Sequence, residues 1–231
     1  MTKVSVIEAK KIVKDLGQGA GKTRVLKGVN FTLYKGELTL LMGPSGSGKT
    51  TLLSILGCIL SPTSGTIKIN KEHADNLTAE ELASIRRRNI GFIFQSYNLF
   101  PTLTAHENVR LALDVRGMSK QEAHVKAEEA LKEVGLIHRL SNHPRNMSGG
   151  EQQRVAVARA LASDPPAILA DEPTAALDSK NGHQVMALLA RIAKERNRAV
   201  LAVTHDPRTH QYADRIVNIE DGLIKNVSTN H

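Results

Sequence analysis

Gly43-Pro44-Ser45-Gly46-Ser47-Gly48-Lys49-Thr50 sets glycines, a lysine and a hydroxyl in the spacing G-x-x-x-x-G-K-[ST]. Glycines let the backbone curl until successive N–H groups point inward at one anion, and a nucleoside triphosphate suits that curl. Lys49 supplies a cation to the β- and γ-phosphate oxygens, and the Thr50 hydroxyl is placed for Mg²⁺. A helix opening at Lys49 adds its positive dipole end, so Gly43 to Thr51 reads as a phosphate cradle.

Ile168-Leu169-Ala170-Asp171-Glu172 is an apolar stretch ending in two acids. Asp171 suits Mg²⁺, through water, and Glu172 suits the general base that polarises an attacking water. Acids after strands are commonly caps, but a phosphate cradle on the same chain shifts the balance to catalysis. Gln95 and His205 each follow an apolar strand, and in open α/β sheets ligands bind beyond the strands' carboxyl ends. Four strand ends therefore converge on one nucleotide.

Ser148-Gly149-Gly150-Glu151 has two readings. S-x-x-E is a capping box for a helix over 151–161, whereas two adjacent glycines let a phosphate approach bare backbone. The two are compatible. Gly17-Gln18-Gly19-Ala20-Gly21-Lys22-Thr23 mimics the cradle, but its first glycine falls one residue short and a strand follows, so it reads as a flexible loop.

The elements that must position these groups alternate β and α. Residues 4–13, 31–34 and 37–42 read as strands, the last nearly continuously apolar, as a strand covered on both faces should be. A helix over 49–60, a strand over 66–69, a helix over 79–88 and a strand over 90–94 follow. From 104 to 162 the pattern is largely helical, broken at 117–119 and 143–144. Strands at 167–170 and 199–203, a helix over 179–196 and strands within 215–226 complete the chain. The layout is an α/β parallel-sheet core with an N-terminal strand-rich flap and a helical insertion.

The 231 residues, 41% hydrophobic, suffice for a sizeable core. A net charge of +8 suits nucleotides, anionic lipid or nucleic acid, but 3% aromatic content argues against a base-stacking platform for single strands. Cys58 is the single cysteine, in the apolar run 55–60, and reads as a buried thiol in a reducing compartment. Met1-Thr2-Lys3-Val4 lacks the apolar stretch of a signal peptide, and no run approaches the roughly 18 apolar residues of a membrane span. Arg86-Arg87-Arg88 reads as a solvated helix end rather than a headgroup site.

Taken together, the chain resembles the ATPase subunit of an ABC transporter over essentially its whole length. The matching segments are the Walker A loop (43–50), the Q-loop (Gln95), the signature (147–152), Walker B (167–172), the D-loop (176–178) and the switch histidine (His205). More narrowly, residues 55–58, 92–95 and 168–174 resemble the MacB/LolD group, associated with macrolide efflux and lipoprotein release.

That resemblance implies a P-loop NTPase, RecA-like, with one domain over 1–231: an ATP-binding core with its β subdomain over about 1–95 and 163–231, and a helical signature subdomain over about 96–162. It also implies a head-to-tail homodimer with two Mg²⁺–ATP in the interface, each touching Lys49 and Thr50 of one copy and Ser148, Gly149 and Gly150 of the other. Gln95 joins Thr50 and Asp171 around the metal, and Gln95, Glu172 and His205 act in hydrolysis. The apolar cluster Tyr97, Leu99, Phe100 and Leu103 is either core or a groove for a coupling helix of a separate transmembrane permease subunit, which places the chain peripherally at the cytoplasmic face of the plasma (inner) membrane. An ATPase regulator of a non-transporting membrane complex, FtsE-like, is the alternative. Nucleic acid is not expected, since neither the long coiled coils of repair members nor the paired cassettes of translation factors is present.

Two departures stand out. The signature carries Glu151 where the family commonly has Gln, and where the family places an adenine-stacking aromatic this chain has Leu16-Gly17. Aromatic stacking contributes about 1–3 kcal/mol per base, so apolar contact from Leu16 implies looser selectivity for adenine, with GTP competing unusually well.

Overall fold

The computed structural model describes residues 3–230; Met1 and Thr2, where the N-terminal reading begins, and His231 lie outside the described residues. Two sheets carry the chain. The first is antiparallel, with β1 (Ser5–Leu16), β2 (Thr23–Tyr34), β4 (Ser64–Ile69) and β5 (Glu72–His73) in the order β2-β1-β4-β5. The second contains β3 (Leu38–Met42), β6 (Ile90–Ile93), β7 (Ala167–Asp171), β8 (Ala199–Val203), β9 (Arg215–Glu220) and β10 (Leu223–Thr229) in the order β10-β9-β3-β8-β7-β6. It is parallel throughout except at β10, which runs antiparallel to β9.

The parallel strands are apolar on both faces because each face belongs to a different core. Leu38, Leu40 and Met42 of β3, Ile168 and Ala170 of β7, and Val200 and Ala202 of β8 join one cluster. Leu41, Leu169, Leu201 and Val203, displaced by one residue, join the other. The period of two along a strand thus feeds two cores at once. α1 (Lys49–Leu56) and the antiparallel sheet close one face, together with Leu82 and Ile85 of α2 (Ala79–Asn89). α3 (Ala105–Asp114), α4 (Lys120–Glu133), α5 (Gly149–Leu161) and α6 (Ser179–Glu195) close the other.

α3, α4 and α5 lie between β6 and β7, as an insertion, yet their apolar faces share one core with the sheet rather than forming their own. The expected breaks at 117–119 and 143–144 fall between these helices.

Several boundaries differ from the sequence reading, most of all in α1, β2 and β1. α1 stops at Leu56 instead of 60, where the chain turns through Cys58 at φ 53°. β2 begins at Thr23 instead of 31, because Lys27 and Gly28 set buried Leu26 and Val29 three residues apart and break the alternation while pairing with β1 continues from Tyr34 to Thr23. β1 itself reaches Leu16, and the loop beyond is a short 3-10 turn, Gly19–Gly21, at the tip of the β1–β2 hairpin. No helix among the described residues is long and apolar enough to cross a membrane.

Candidate active site

β3 delivers the chain directly into the glycine loop. A Cβ on Gly43 would stand 2.0 Å from the carbonyl oxygen of Ile219 on β9, so only a glycine lets the loop leave the sheet along this path. The loop ends at Gly48, the N-cap of α1, with φ 102° and no side-chain cap. The contrast with the other helices is informative: Thr78, Thr104, Ser119, Ser148 and Asp178 cap α2, α3, α4, α5 and α6 through their side chains. The first amides of α1 are the ones left for a ligand, at the positive end of the helix dipole.

Those amides open on a cleft of about 670 Å³ lined by Val25, Gly43, Pro44, Ser45, Gly46, Gly48, Lys49, Thr50, Thr51, Gln95, Glu172 and His205. This volume falls within the roughly 300–1,000 Å³ of small-molecule sites. Lys49 is buried, and its Nζ donates to the carbonyls of Gly43 (2.8 Å) and Pro44 (2.7 Å), which holds the ammonium inside the loop. Ser47 does not line the cleft, and its hydroxyl is buried without a hydrogen-bond partner.

Glu172 after β7 and His205 after β8 supply the polar end of the cleft, whereas Asp171, the last residue of β7, is not among the residues that line it. Asp171 has its carboxyl raised above the usual carboxylate range, chiefly by burial and then by the neighbouring Glu172 charge; a hydrogen bond from Thr50 and the charge of Lys49 oppose this. Its Oδ1 is buried with no hydrogen-bond partner. Glu172 turns the chain out of the sheet at φ 47°, a left-handed conformation costly for a side chain with a Cβ, and its N–H donates to Val203 of β8 at 3.0 Å. Its Oε1 lies 3.0 Å from Nδ1 of the exposed His205, so the last residues beyond two neighbouring strands meet over the cleft.

The signature residues are elsewhere. Ser148, Gly149 and Gly150 are absent from the cleft lining, and Ser148 is occupied with helix capping. Its hydroxyl accepts from Glu151 N–H (3.2 Å), and Glu151 Oε2 accepts from Ser148 N–H (2.8 Å), while Oε1 accepts from Arg139. The glycines also have a packing reason within the chain. A Cβ on Gly150 would meet Asn181 Oδ1 at 2.4 Å, and one on Gly149 would meet the Tyr97 hydroxyl at 3.0 Å. Within one chain, Gly150 thus faces Asn181 at the start of α6 and Gly149 faces Tyr97.

Leu16, at the end of β1, is 40% exposed and does not reach the cleft; the apolar residue of that sheet on its wall is Val25. Among the described residues, no Phe, Tyr or Trp lines the cleft. The apolar cluster divides: Leu99 packs on the core, whereas Phe100 is 50% exposed. Of the three arginines ending α2, Arg86 donates to the Cys58 carbonyl and Arg88 to Glu72, leaving Arg87 at the surface.

Three further residues organise the site without having stood out in the sequence. Val25 was hidden in the stretch of β2 before Gly28. Arg159 of α5 donates to the carbonyls of Asn98 (2.5 Å) and Tyr97 (2.7 Å), fixing a left-handed pair just after Gln95. Asn108, fully buried on α3, donates to the carbonyls of Phe100, Leu103 and Thr104 and accepts from Phe100 N–H. An arginine and an asparagine inside apolar helix stretches are the only sequence trace of these braces.

The family model described as ABC transporter matches residues 26–175. An ATP-binding protein named for hemin import, HrtA of Staphylococcus haemolyticus, is 44% identical over 221 residues, 95% of this chain and 99% of that one. The macrolide export ATP-binding/permease protein MacB of Marinobacter nauticus is 44% identical over 217 residues, and the matched region spans 94% of this chain but 34% of that longer protein. Among solved structures, an ATP-binding cassette captured as a dimer in a post-hydrolysis state with ADP and Pi superposes with a TM-score of 0.87 at 44% identity, covering 96% of this chain and 98% of that one.

Proposed function

The chain belongs to the ABC transporter family as an ATP-binding, ATP-hydrolysing subunit of P-loop NTPase fold, similar to the MacB/LolD group, and from that premise we propose that it works as one half of a head-to-tail homodimer. Each of two ATP molecules is held by Lys49 and Thr50 of one copy and by Ser148 and Gly150 of a second. The observation that carries this reading is the split of the chemistry: the cleft gathers the glycine loop, Gln95, Glu172 and His205, but none of the signature residues. A dimeric relative in a post-hydrolysis state supports it.

In this arrangement Lys49 and the uncapped amides of α1 bind the phosphates. Glu172 takes the proton of the attacking water, and His205 holds the Glu172 carboxylate through the 3.0 Å contact. The partnerless Oδ1 of Asp171, next to the Thr50 hydroxyl, fits a hard cation; Asp171, Thr50 and Gln95 would hold Mg²⁺, which supplies charge neutralisation on the phosphate oxygens. The base rests on Val25 with no aromatic platform, which leaves adenine weakly preferred. The γ-phosphate bridges both copies, and its loss lets them part.

The dimer drives a separate transmembrane permease subunit, for export or for extraction of a lipid or lipoprotein, from a peripheral position on the cytoplasmic face of the plasma membrane. Half-exposed Phe100, on a loop braced by Asn108 and adjoining the Arg159-held pair after Gln95, provides the surface through which such a subunit is reached.

Mixing two defective variants tests the shared site. In a Glu172→Gln background, Lys49→Ala alone and Ser148→Arg alone should form no ATP-dependent dimer, whereas the mixture regains dimers with about one nucleotide each. A mixture that dimerises no better than either variant by itself would refute the head-to-tail assignment.

A further inference from the structure

Away from the nucleotide cleft, the helical insertion brings together a second group of ligand-type side chains. His106 on α3, with His124 and Glu128 on α4, each offer one ligand atom, and these atoms lie within 4.8 Å of one another. The sequence spacing explains half of this: His124 and Glu128 are i,i+4 on one helix and therefore share a face. His124 Nε2 and Glu128 Oε1 are 3.5 Å apart. Packing of α3 against α4 supplies the other half, with the His106 and His124 rings at 4.5 Å between centroids.

We propose that His106, His124 and Glu128 form a transition-metal site of the zinc type that ties α3 to α4. Bonds of about 2.0–2.2 Å around a tetrahedral Zn²⁺ set ligand atoms roughly 3.4 Å apart. The His124–Glu128 pair already stands at that spacing, and His106 needs to close by at most about 1.4 Å from the observed limit. His106 is only 9% exposed, and its Nε2 lies 3.2 Å from the His124 main-chain carbonyl. A ring that donates one N–H to a carbonyl keeps its lone pair on the other nitrogen, the tautomer and outer-shell contact of a metal-ligating histidine.

Donor chemistry selects the ion. Two imidazoles and one carboxylate suit Zn²⁺, Co²⁺ or Ni²⁺, whereas Mg²⁺ and Ca²⁺ favour oxygen alone. Three protein ligands leave the fourth position to water. The site is independent of the one that hydrolyses ATP, since none of its residues lines that cleft.

Co²⁺ titration of the nucleotide-free full chain tests this, with Zn²⁺ as competitor. The expected result is one tetrahedral Co²⁺ per chain, read from its intense visible absorption and displaced by Zn²⁺. The exposed His124→Ala variant should bind at least tenfold more weakly, and Glu128→Gln should weaken binding in the same direction. Zn²⁺ at about a hundred times its Kd should raise Tm by roughly 5–10 °C in the parent chain and not in His124→Ala, with no such rise from Mg²⁺. Octahedral binding only, binding undiminished in His124→Ala, or no Zn²⁺-dependent rise in Tm would overturn the proposal, leaving His124 and Glu128 an ordinary surface pair.

Discussion

Cys58 illustrates what a single residue discloses. Its apolar neighbours announced burial, and at 2% exposure the burial raises the thiol to about 11, against the opposing pull of the Arg86 charge. At pH 8 the thiolate fraction is then about 10⁻³. A disulfide reagent such as Ellman's should therefore label the native chain at least about a hundredfold more slowly than the chain in denaturant. Equal labelling rates would mean that Cys58 is open to solvent. The same site shows where residue-level reading stops. Nothing in Gly57-Cys58 announces a left-handed cysteine, nor does Asp171-Glu172 announce a left-handed glutamate. Both conformations are imposed by the elements on either side, which a local pattern does not contain.

At the level of elements, α5 was legible as a capped helix, and the cap forms as the S-x-x-E spacing requires. Hydrogen bonds from Ser148, foremost its backbone N–H, and the Arg139 guanidinium hold the Glu151 carboxyl below the usual range, with burial opposing. A depressed acid stabilises the folded state above its unfolded pKa and loses that contribution as pH falls through the folded value. Glu151→Gln, the family's common residue, keeps an acceptor for the cap but not the charge. It should lower Tm by about 1–4 °C at pH 7, for the loss of a helix N-terminal charge worth about 0.3–1 kcal/mol. The gap should narrow once pH drops below about 4.5. A gap absent at pH 7, or constant to low pH, would contradict this account. The elements that escaped the sequence share one cause: their patterns are set by distant partners. The first half of β2 is held by pairing with β1 across Gly28, and Asn181 of α6 packs closely on Gly150 of α5, neither of which local periodicity records.

For the whole molecule, alternation of β and α foretold the parallel sheet, and apolar runs foretold strands covered on both faces. What the pattern did not show is that the helical insertion shares its core with the sheet. Val155, Val157 and Ala158 of α5 pack in the same cluster as Ile168 and Ala170 of β7, the strand that ends in Asp171. The sequence displayed the glycine loop, the strand-end residues and the signature, with the loop and the signature expected to meet only between two copies. In the folded chain the glycine loop and the two strand-end residues Glu172 and His205 converge, and the signature does not.

The central claim is that a bound triphosphate is shared by two copies, and the mass of the Glu172→Gln chain with ATP measures it directly. Removing the carboxylate of Glu172, the proposed general base, should slow hydrolysis by about 10²–10⁴, so that the bound state persists during light scattering. We predict twice the monomer mass of 25.1 kDa with ATP, and the monomer mass with ADP. A Glu172→Gln chain that binds ATP tightly yet stays at the monomer mass would contradict it.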